Sequence, residues 1–193
     1  MSRSAIVWTH DSSDEPVVRL PTHTAAWLTP YRAQLEARSD AGGRGRWWRL
    51  FRTEAARHDM PRVVWSDIGR VPRALVLEAG DPTVPLNSCY VARAPSLADA
   101  RTLAALLNSP VAAAWLGVIA EPARGGYHRY LGWTMARLPL PRDWARAVAL
   151  LAPLARAAEV GAVPSAAALT DAVVRAYRVR PADIAALLTW GMR

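Results

Sequence analysis

A helix that must stop and restart within three residues restricts the fold of this chain more than any other feature. An S-x-x-D capping pattern at Ser96 starts a helix with a regular apolar face of leucine and alanine. Pro110 cannot lie inside that helix because it has no amide hydrogen, but it is favoured at the first position of a new helix, with Ser109 as the N-cap. The sequence therefore predicts two helices joined at a fixed angle next to Asn108.

Apolar segments separated by glycine, proline and aspartate predict a small sheet on the N-terminal side of this helix pair. We expect its strands at residues 62–68, 74–78 and 86–91, with further short strands at residues 5–8, 17–20 and 138–141. A helix is expected from residue 22 or 24 to about residue 38.

After residue 141 the composition changes to alanine-rich segments with helical spacing. We expect helices at residues 143–159, with an interruption at Pro153, at residues 169–177 and at residues 181–190. The predicted fold class is α+β, a small mixed or antiparallel sheet with packed helices and an α-helical C-terminal cap. We place the α+β domain at residues 1–141 and the helical cap at residues 142–193.

The charge of the chain favours an anionic partner such as nucleic acid. Its 193 residues carry a formal net charge of +8, and the 52% of hydrophobic residues are enough to bury a sizeable core. All 24 basic residues are arginine. Because alanine, arginine and proline together are typical of a GC-rich genome, the absence of lysine is no argument for recognition by guanidinium groups in particular.

The reactive residues argue against several classes of site. The single cysteine, Cys89, excludes an internal disulfide and a multi-cysteine zinc site, and its position in an apolar strand predicts an inert thiol. No two of the four histidines have the i, i+4 spacing of a helical metal site. The acidic segment at residues 11–15 is typical of a polar turn more than of a nuclease site. We therefore expect no metal and no catalytic residue.

The N-terminus shows no secretory signal, and the longest apolar stretch, residues 111–120, is far shorter than the ~20 residues that span a bilayer. We therefore expect a cytoplasmic protein without membrane contact. The setting that these features favour is bacterial.

Residues 124–130 contain the densest mixture of cationic, aromatic and glycine residues in the chain. Arginine can contact phosphate or guanine, glycine lets the backbone approach a duplex, and tyrosine can stack or bind phosphate oxygens. The alternative is a solvated turn with Tyr127 and Tyr130 packed inward. Two further basic clusters, at residues 44–52 and 62–73, are candidate phosphate contacts or plain solvated faces. The candidate DNA-binding residues are Arg124, Tyr127, His128, Arg129, Arg44, Arg46, Arg70 and Arg73.

Four short motifs follow one another in the order found in a known family. They are Asn87-x-Cys89-Tyr90 in a strand, Leu106-Leu107-Asn108-Ser109 at the end of a helix, Gly125-Gly126 with Arg129 in a basic loop, and Leu138-Pro139-x-Pro141. An entry strand at Pro61–Gly69 precedes these motifs, and an apolar helical tail from Leu169 to Ile184 follows them. With this order, residues 60–190 resemble the TaqI-like C-terminal specificity domain, the target-recognition domain of adenine-specific DNA methyltransferases and fused restriction-modification enzymes.

The resemblance implies binding to double-stranded DNA behind a catalytic domain that uses S-adenosylmethionine. The Asn/Asp-Pro-Pro-aromatic motif and the glycine-rich cofactor turn of such catalytic domains do not occur in the sequence. We therefore expect a non-catalytic recognition module or subunit of a restriction-modification or related phage-defence system, with no cofactor of its own and S-adenosylmethionine only in a methyltransferase partner. The alternative is a protein-interaction subunit whose basic surface docks an acidic partner without contacting DNA.

Overall fold

The computed structural model describes residues 5–39, 46–51 and 53–191 and has an α+β fold. The chain divides into two compact units, Met1–Ala55 and Ala56–Arg193. Among the described residues, no single helix is both long and apolar enough to cross a membrane.

The first unit consists of short helices and turns. Helix α1 (Thr22–Leu28) and helix α2 (Arg32–Glu36) are separated by the 3-10 helix Thr29–Tyr31, and a further 3-10 helix spans Thr53–Ala56. The single helix predicted from residue 22 to about residue 38 is therefore wrong. Pro30, inside the 3-10 helix, lacks the amide hydrogen that would continue an α-helical ladder.

The two strands predicted at residues 5–8 and 17–20, both within the described chain, do not form. His10 and Pro16 make an isolated bridge, and the turn between them is closed by Asp11, whose carboxylate accepts hydrogen bonds from the amides of Ser13 and Glu15. The bridge consists of two backbone hydrogen bonds, from the amide of Asp11 to the carbonyl of Glu15 and from the amide of Val17 to the carbonyl of Thr9, and no further pair extends it among the described residues. An apolar segment without a strand partner stays irregular.

The described part of the second unit, residues 56–191, contains six strands and the remaining helices. The strands are β1 (Arg62–Ser66), β2 (Ile68–Gly69), β3 (Ala74–Leu77), β4 (Cys89–Arg93), β5 (Glu121–Ala123) and β6 (Tyr127–Arg129). The helices are α3 (Leu97–Leu107), α4 (Pro110–Ile119), α5 (Gly132–Met135), α6 (Trp144–Glu159), α7 (Ala166–Tyr177) and α8 (Pro181–Gly191). The strands form two antiparallel sheets, with the orders β3-β1-β4 and β2-β6-β5, where the sequence predicted one.

The first sheet confirms the three strands predicted on the N-terminal side of the helix pair. Its central strand β1 is almost entirely buried, and Val63 and Trp65 belong to the core that the sheet shares with α3. The strand predicted from residue 86 begins at Cys89 instead, because the amide of Cys89 donates to the carbonyl of Leu86 and closes a turn there.

Helices α3 and α4 confirm the predicted break. The hydroxyl of Ser96 accepts a hydrogen bond from the amide of Asp99, and the hydroxyl of Ser109 accepts one from the amide of Ala112. Each cap satisfies a first-turn amide that has no partner within its own helix. The two helices are bent by 69° at Asn108.

The C-terminal helices pack onto this pair, with α6 against α3, α7 against α6 and α8 against α4. The helices predicted as a cap therefore lie in the second unit and share its core. Helix α6 continues past Pro153, so the predicted interruption is wrong. Leu151 is fully buried before the proline and Leu154 packs against the core after it. Packing on both sides offsets the one backbone hydrogen bond that proline removes.

The strand predicted at residues 138–141 is also wrong, since this described segment has no strand partner. Pro139 and Pro141 cannot donate to a neighbouring strand. The segment is instead held as a connection, with Leu138 buried and the hydroxyl of Tyr177 donating to the carbonyl of Pro139. Burial raises the pKa of Tyr177 to about 12, so this hydroxyl keeps its proton at neutral pH.

Asn108 connects the helix break to the first sheet. Its side-chain oxygen accepts from the amide of Ala74 at 2.8 Å, and its side-chain nitrogen donates to the carbonyl of Ala74 at 2.8 Å. The two bonds fix the start of β3 against the end of α3. The Leu-Leu-Asn-Ser motif is therefore architectural in this chain.

Replacing Asn108 with alanine is expected to lower the free energy of unfolding by about 1–3 kcal/mol, because the substitution removes both hydrogen-bond partners from the backbone of Ala74. Urea denaturation followed by circular dichroism measures the change. Asn87→Ala is the matched control, since Asn87 is exposed before β4 and should change stability by less than about 0.5 kcal/mol. Equal urea midpoints for the two variants would contradict the assignment.

Candidate nucleic-acid interface

The predicted basic loop at residues 124–130 is a β-hairpin. Strands β5 and β6 pair with Ala123 opposite Tyr127, so the turn between them has three residues. Gly125 and Gly126 have φ angles of 76° and 75°, in the left-handed region that glycine adopts without strain. This glycine pair makes the tight turn possible, and β2 adds a third strand on the other side of β6.

Strand alternation divides the residues of the hairpin between two faces. Tyr127 is 41% exposed and the side chain of Arg129 is 43% exposed, and both belong to one face. His128 and Tyr130 belong to the other face, where Tyr130 is 1% exposed and lies 6.4 Å from the half-buried imidazole of His128. Of the two tyrosines that could have packed inward, only Tyr130 does. His128 does not share the exposed face with Tyr127 and Arg129.

Tyr130 ties the hairpin to the rest of the second unit. Its carbonyl accepts from the indole nitrogen of Trp65 at 2.9 Å, and its hydroxyl donates to the carbonyl of Arg70 at 3.3 Å. Burial raises the pKa of Tyr130 to about 12, so the hydroxyl remains a donor at neutral pH. The residue that follows β6 is therefore held to β1 and to the segment after β2 by hydrogen bonds.

Arg70 follows β2 directly and lies beside Tyr127. Its guanidinium carbon is 5.3 Å from the centroid of the Tyr127 ring, within the range of a cation–π contact. The pairing of β2 with β6 brings these two residues together from distant parts of the sequence. A cation and an aromatic ring thus share one exposed surface.

Arg129 is held by an ion pair. Its Nη2 lies 2.8 Å from Oδ2 of Asp67, and the hydrogen bond and charge of Asp67 raise the pKa of Arg129. Glu121 lies opposite Arg129 in the strand register and adds a second carboxylate nearby. Arg129 is therefore partly neutralised, and its guanidinium is already oriented.

Arg124 is exposed in the turn itself. Within the described part of the chain its side chain makes no hydrogen bond, ion pair or ring contact. Of the three arginines on the hairpin and its neighbouring strand, it is the one whose guanidinium has no partner among the described residues.

Three candidate arginines remain. Arg73 is exposed just before β3. Arg46 belongs to the first unit, where its guanidinium donates to the carbonyl of Pro16. Arg44 lies outside the described residues. The second sheet thus brings together four of the eight predicted residues on one face and its turn, namely Arg70, Arg124, Tyr127 and Arg129.

Asp67 is the site residue whose role the sequence did not reveal. Its partner Arg129 is 62 residues away, and only the pairing of β2 with β6 brings them into contact. Its charge did not indicate which arginine it pairs with, because several arginines are closer to Asp67 in sequence than Arg129 is.

The described residues contain no group of three or more histidine, cysteine or carboxylate side chains that could hold a metal ion. Cys89 is a free, half-buried thiol at the start of β4. Neither the protein-family models nor the curated proteins with which the sequence was compared match this chain. Function must therefore be inferred from the residues of the second sheet and from the order of motifs along the chain.

Proposed function

We propose that this chain is a DNA-binding target-recognition module or subunit of an adenine-specific DNA methyltransferase, and that it is not catalytic by itself. The observation that carries the proposal is the exposed face of the second sheet, where Arg70 and Arg129 flank Tyr127 next to a turn that presents Arg124. The order of the family motifs and the net charge of +8 support the same interpretation.

The chemistry of this face suits a nucleic acid. Arginine side chains readily contact phosphate oxygens, and an exposed tyrosine can stack on a base or donate a hydrogen bond to phosphate. The surface carries three arginines and two carboxylates, those of Asp67 and Glu121, so its net charge is positive. Methyl transfer belongs, in this proposal, to a partner that binds S-adenosylmethionine, and extrusion of the target adenine occurs in that partner.

The test is the salt dependence of binding to a labelled pool of random-sequence DNA duplexes, measured by fluorescence anisotropy. The wild-type chain is expected to bind at low salt, with log K falling linearly with log salt by about 0.9 for each phosphate that the protein neutralises. Arg70→Ala combined with Arg129→Ala, which removes the two arginines that flank Tyr127, should weaken binding and make this slope shallower by about 0.9 for each phosphate that the variant no longer neutralises.

The matched control is Arg142→Ala combined with Arg156→Ala, which also removes two exposed arginines but leaves the second sheet intact. It should bind the pool nearly as tightly as the wild type. If both double variants lose the same affinity for the pool, binding depends on net charge and not on the face of the second sheet, and the proposal is contradicted. A wild-type chain that binds no duplex at low salt would overturn it and favour the docking of an acidic protein.

A further inference from the structure

We infer that the turn of the β5–β6 hairpin enters the major groove of duplex DNA and that Arg124 in this turn contacts guanine there. The inference rests on the proposed DNA-binding function and adds the groove, the base and the residue that determines specificity. It comes from the shape of the hairpin and from the different surroundings of its three arginines.

The shape of the hairpin tip selects the groove. Strand β2 pairs with His128 and Arg129, and beyond this pairing β5 and β6 continue to the turn as two strands. The major groove of B-DNA, about 12 Å wide, admits a two-stranded β-ribbon, whereas the minor groove of about 6 Å would first have to be widened. A Cβ atom on Gly126 would meet nothing within 4 Å, and one on Gly125 would meet only the ring of Tyr127, at 3.8 Å. The turn is therefore exposed with open space beside its glycines, which allow the backbone to approach a base edge closely.

The edge of the hairpin disfavours the main alternative use of such a ribbon, which is pairing with a strand of another protein. Strand β5 is the edge strand on the hairpin side of the sheet, and it is only three residues long with Pro122 at its centre. Short edge strands that contain proline resist the addition of a further strand. Insertion of the turn into a groove does not require a strand to pair with β5.

The surroundings of the arginines divide their roles. The guanidinium of Arg129 already donates to Asp67, and that of Arg70 lies over the ring of Tyr127. These two arginines lie at the second sheet behind the turn, where their side chains can contact the phosphates on either side of a groove. Arg124 has no such partner among the described residues, so both arms of its guanidinium are available to O6 and N7 of one guanine, the commonest specific contact in the major groove.

The experiment is selection of bound duplexes from a random-sequence pool by the wild-type chain and by Arg124→Ala, followed by affinity measurements on the selected site. The wild type should enrich guanine at one or more positions, and Arg124→Ala should lose that preference. Affinity for the selected site should fall by about 5- to 150-fold, while affinity for the random pool falls far less. Arg142→Ala, which removes one exposed charge elsewhere, should keep the preference.

A modified duplex tests the contact itself. Replacing the selected guanine with 7-deazaguanine removes the N7 acceptor from the major groove and leaves the Watson–Crick and minor-groove edges unchanged. This replacement should lower the affinity of the wild-type chain for the selected site and leave the affinity of Arg124→Ala unchanged. Thermal melting by circular dichroism should give the same Tm for both proteins, since Arg124 is an exposed turn residue.

Two outcomes overturn the inference separately from the proposed function. If the wild type binds duplexes but Arg124→Ala keeps the guanine preference, or 7-deazaguanine weakens both proteins equally, Arg124 does not contact the base. A shallower salt slope for Arg124→Ala with unchanged preference makes it a phosphate contact. If the wild type binds no duplex at all, the proposed DNA-binding function itself fails.

Discussion

Replacing Trp65 with alanine is expected to lower the free energy of unfolding by about 3–5 kcal/mol. Trp65 is 6% exposed in the central strand of the first sheet, and its ring stacks on Tyr90 with centroids 6.0 Å apart. Its indole nitrogen donates to the carbonyl of Tyr130 at 2.9 Å. The substitution therefore removes a large buried ring and also the hydrogen bond that connects the first sheet to the end of β6.

Trp65→Phe separates these two contributions. Phenylalanine keeps most of the aromatic burial but leaves the carbonyl of Tyr130 without its donor, so a smaller loss of about 1–3 kcal/mol is expected. Urea denaturation followed by far-ultraviolet circular dichroism measures both variants. Trp133→Ala is the control, because Trp133 is 49% exposed on α5 and should cost much less. The interpretation fails if Trp65→Ala and Trp133→Ala unfold at the same urea concentration.

Arg62→Ala is expected to cost about 3 kcal/mol or more, although most arginines of this chain are exposed. The Arg62 side chain is fully buried, and its guanidinium donates to the carbonyls of Thr83 at 3.0 Å and Asp81 at 2.6 Å. Burial lowers the pKa of Arg62, and the nearby Asp81 carboxylate opposes this shift. Alanine would leave a cavity and take the donor away from two carbonyls of the loop between β3 and β4.

Arg62→Ala should lower the free energy of unfolding of the whole unit and also loosen the loop between β3 and β4. Hydrogen–deuterium exchange is expected to accelerate in residues 79–88, the loop that the guanidinium holds. Arg93→Ala is the matched control, since Arg93 lies opposite Arg62 on β4 but pairs with Asp59 at the surface, where an ion pair contributes about 1 kcal/mol or less. If Arg62→Ala is no less stable than Arg93→Ala, the buried arginine does not support this loop.

The parts of the fold that the sequence predicted well depend on interactions between near neighbours. Ser96 and Ser109 each accept a hydrogen bond from an amide three residues ahead, so a short local sequence pattern was enough to predict the starts of α3 and α4. The strands at residues 5–8 and 138–141 were wrong, because an apolar run forms a strand only where a partner segment can pair with it. Pro153 was misjudged for a related reason, since packing of α6 on both sides of it is a tertiary effect.

By itself, the sequence determined the α+β class, the capped helix break and the concentration of cationic and aromatic residues near the hairpin, because composition and caps act locally. Only the tertiary structure decided which of those residues share a surface. The direction of a side chain on a strand depends on register, and the register of β2 against β6 is set by contacts between segments about 60 residues apart. That pairing joins Arg70 to Tyr127 and Arg129 to Asp67, turns His128 away from them, and leaves Arg124 exposed in the turn.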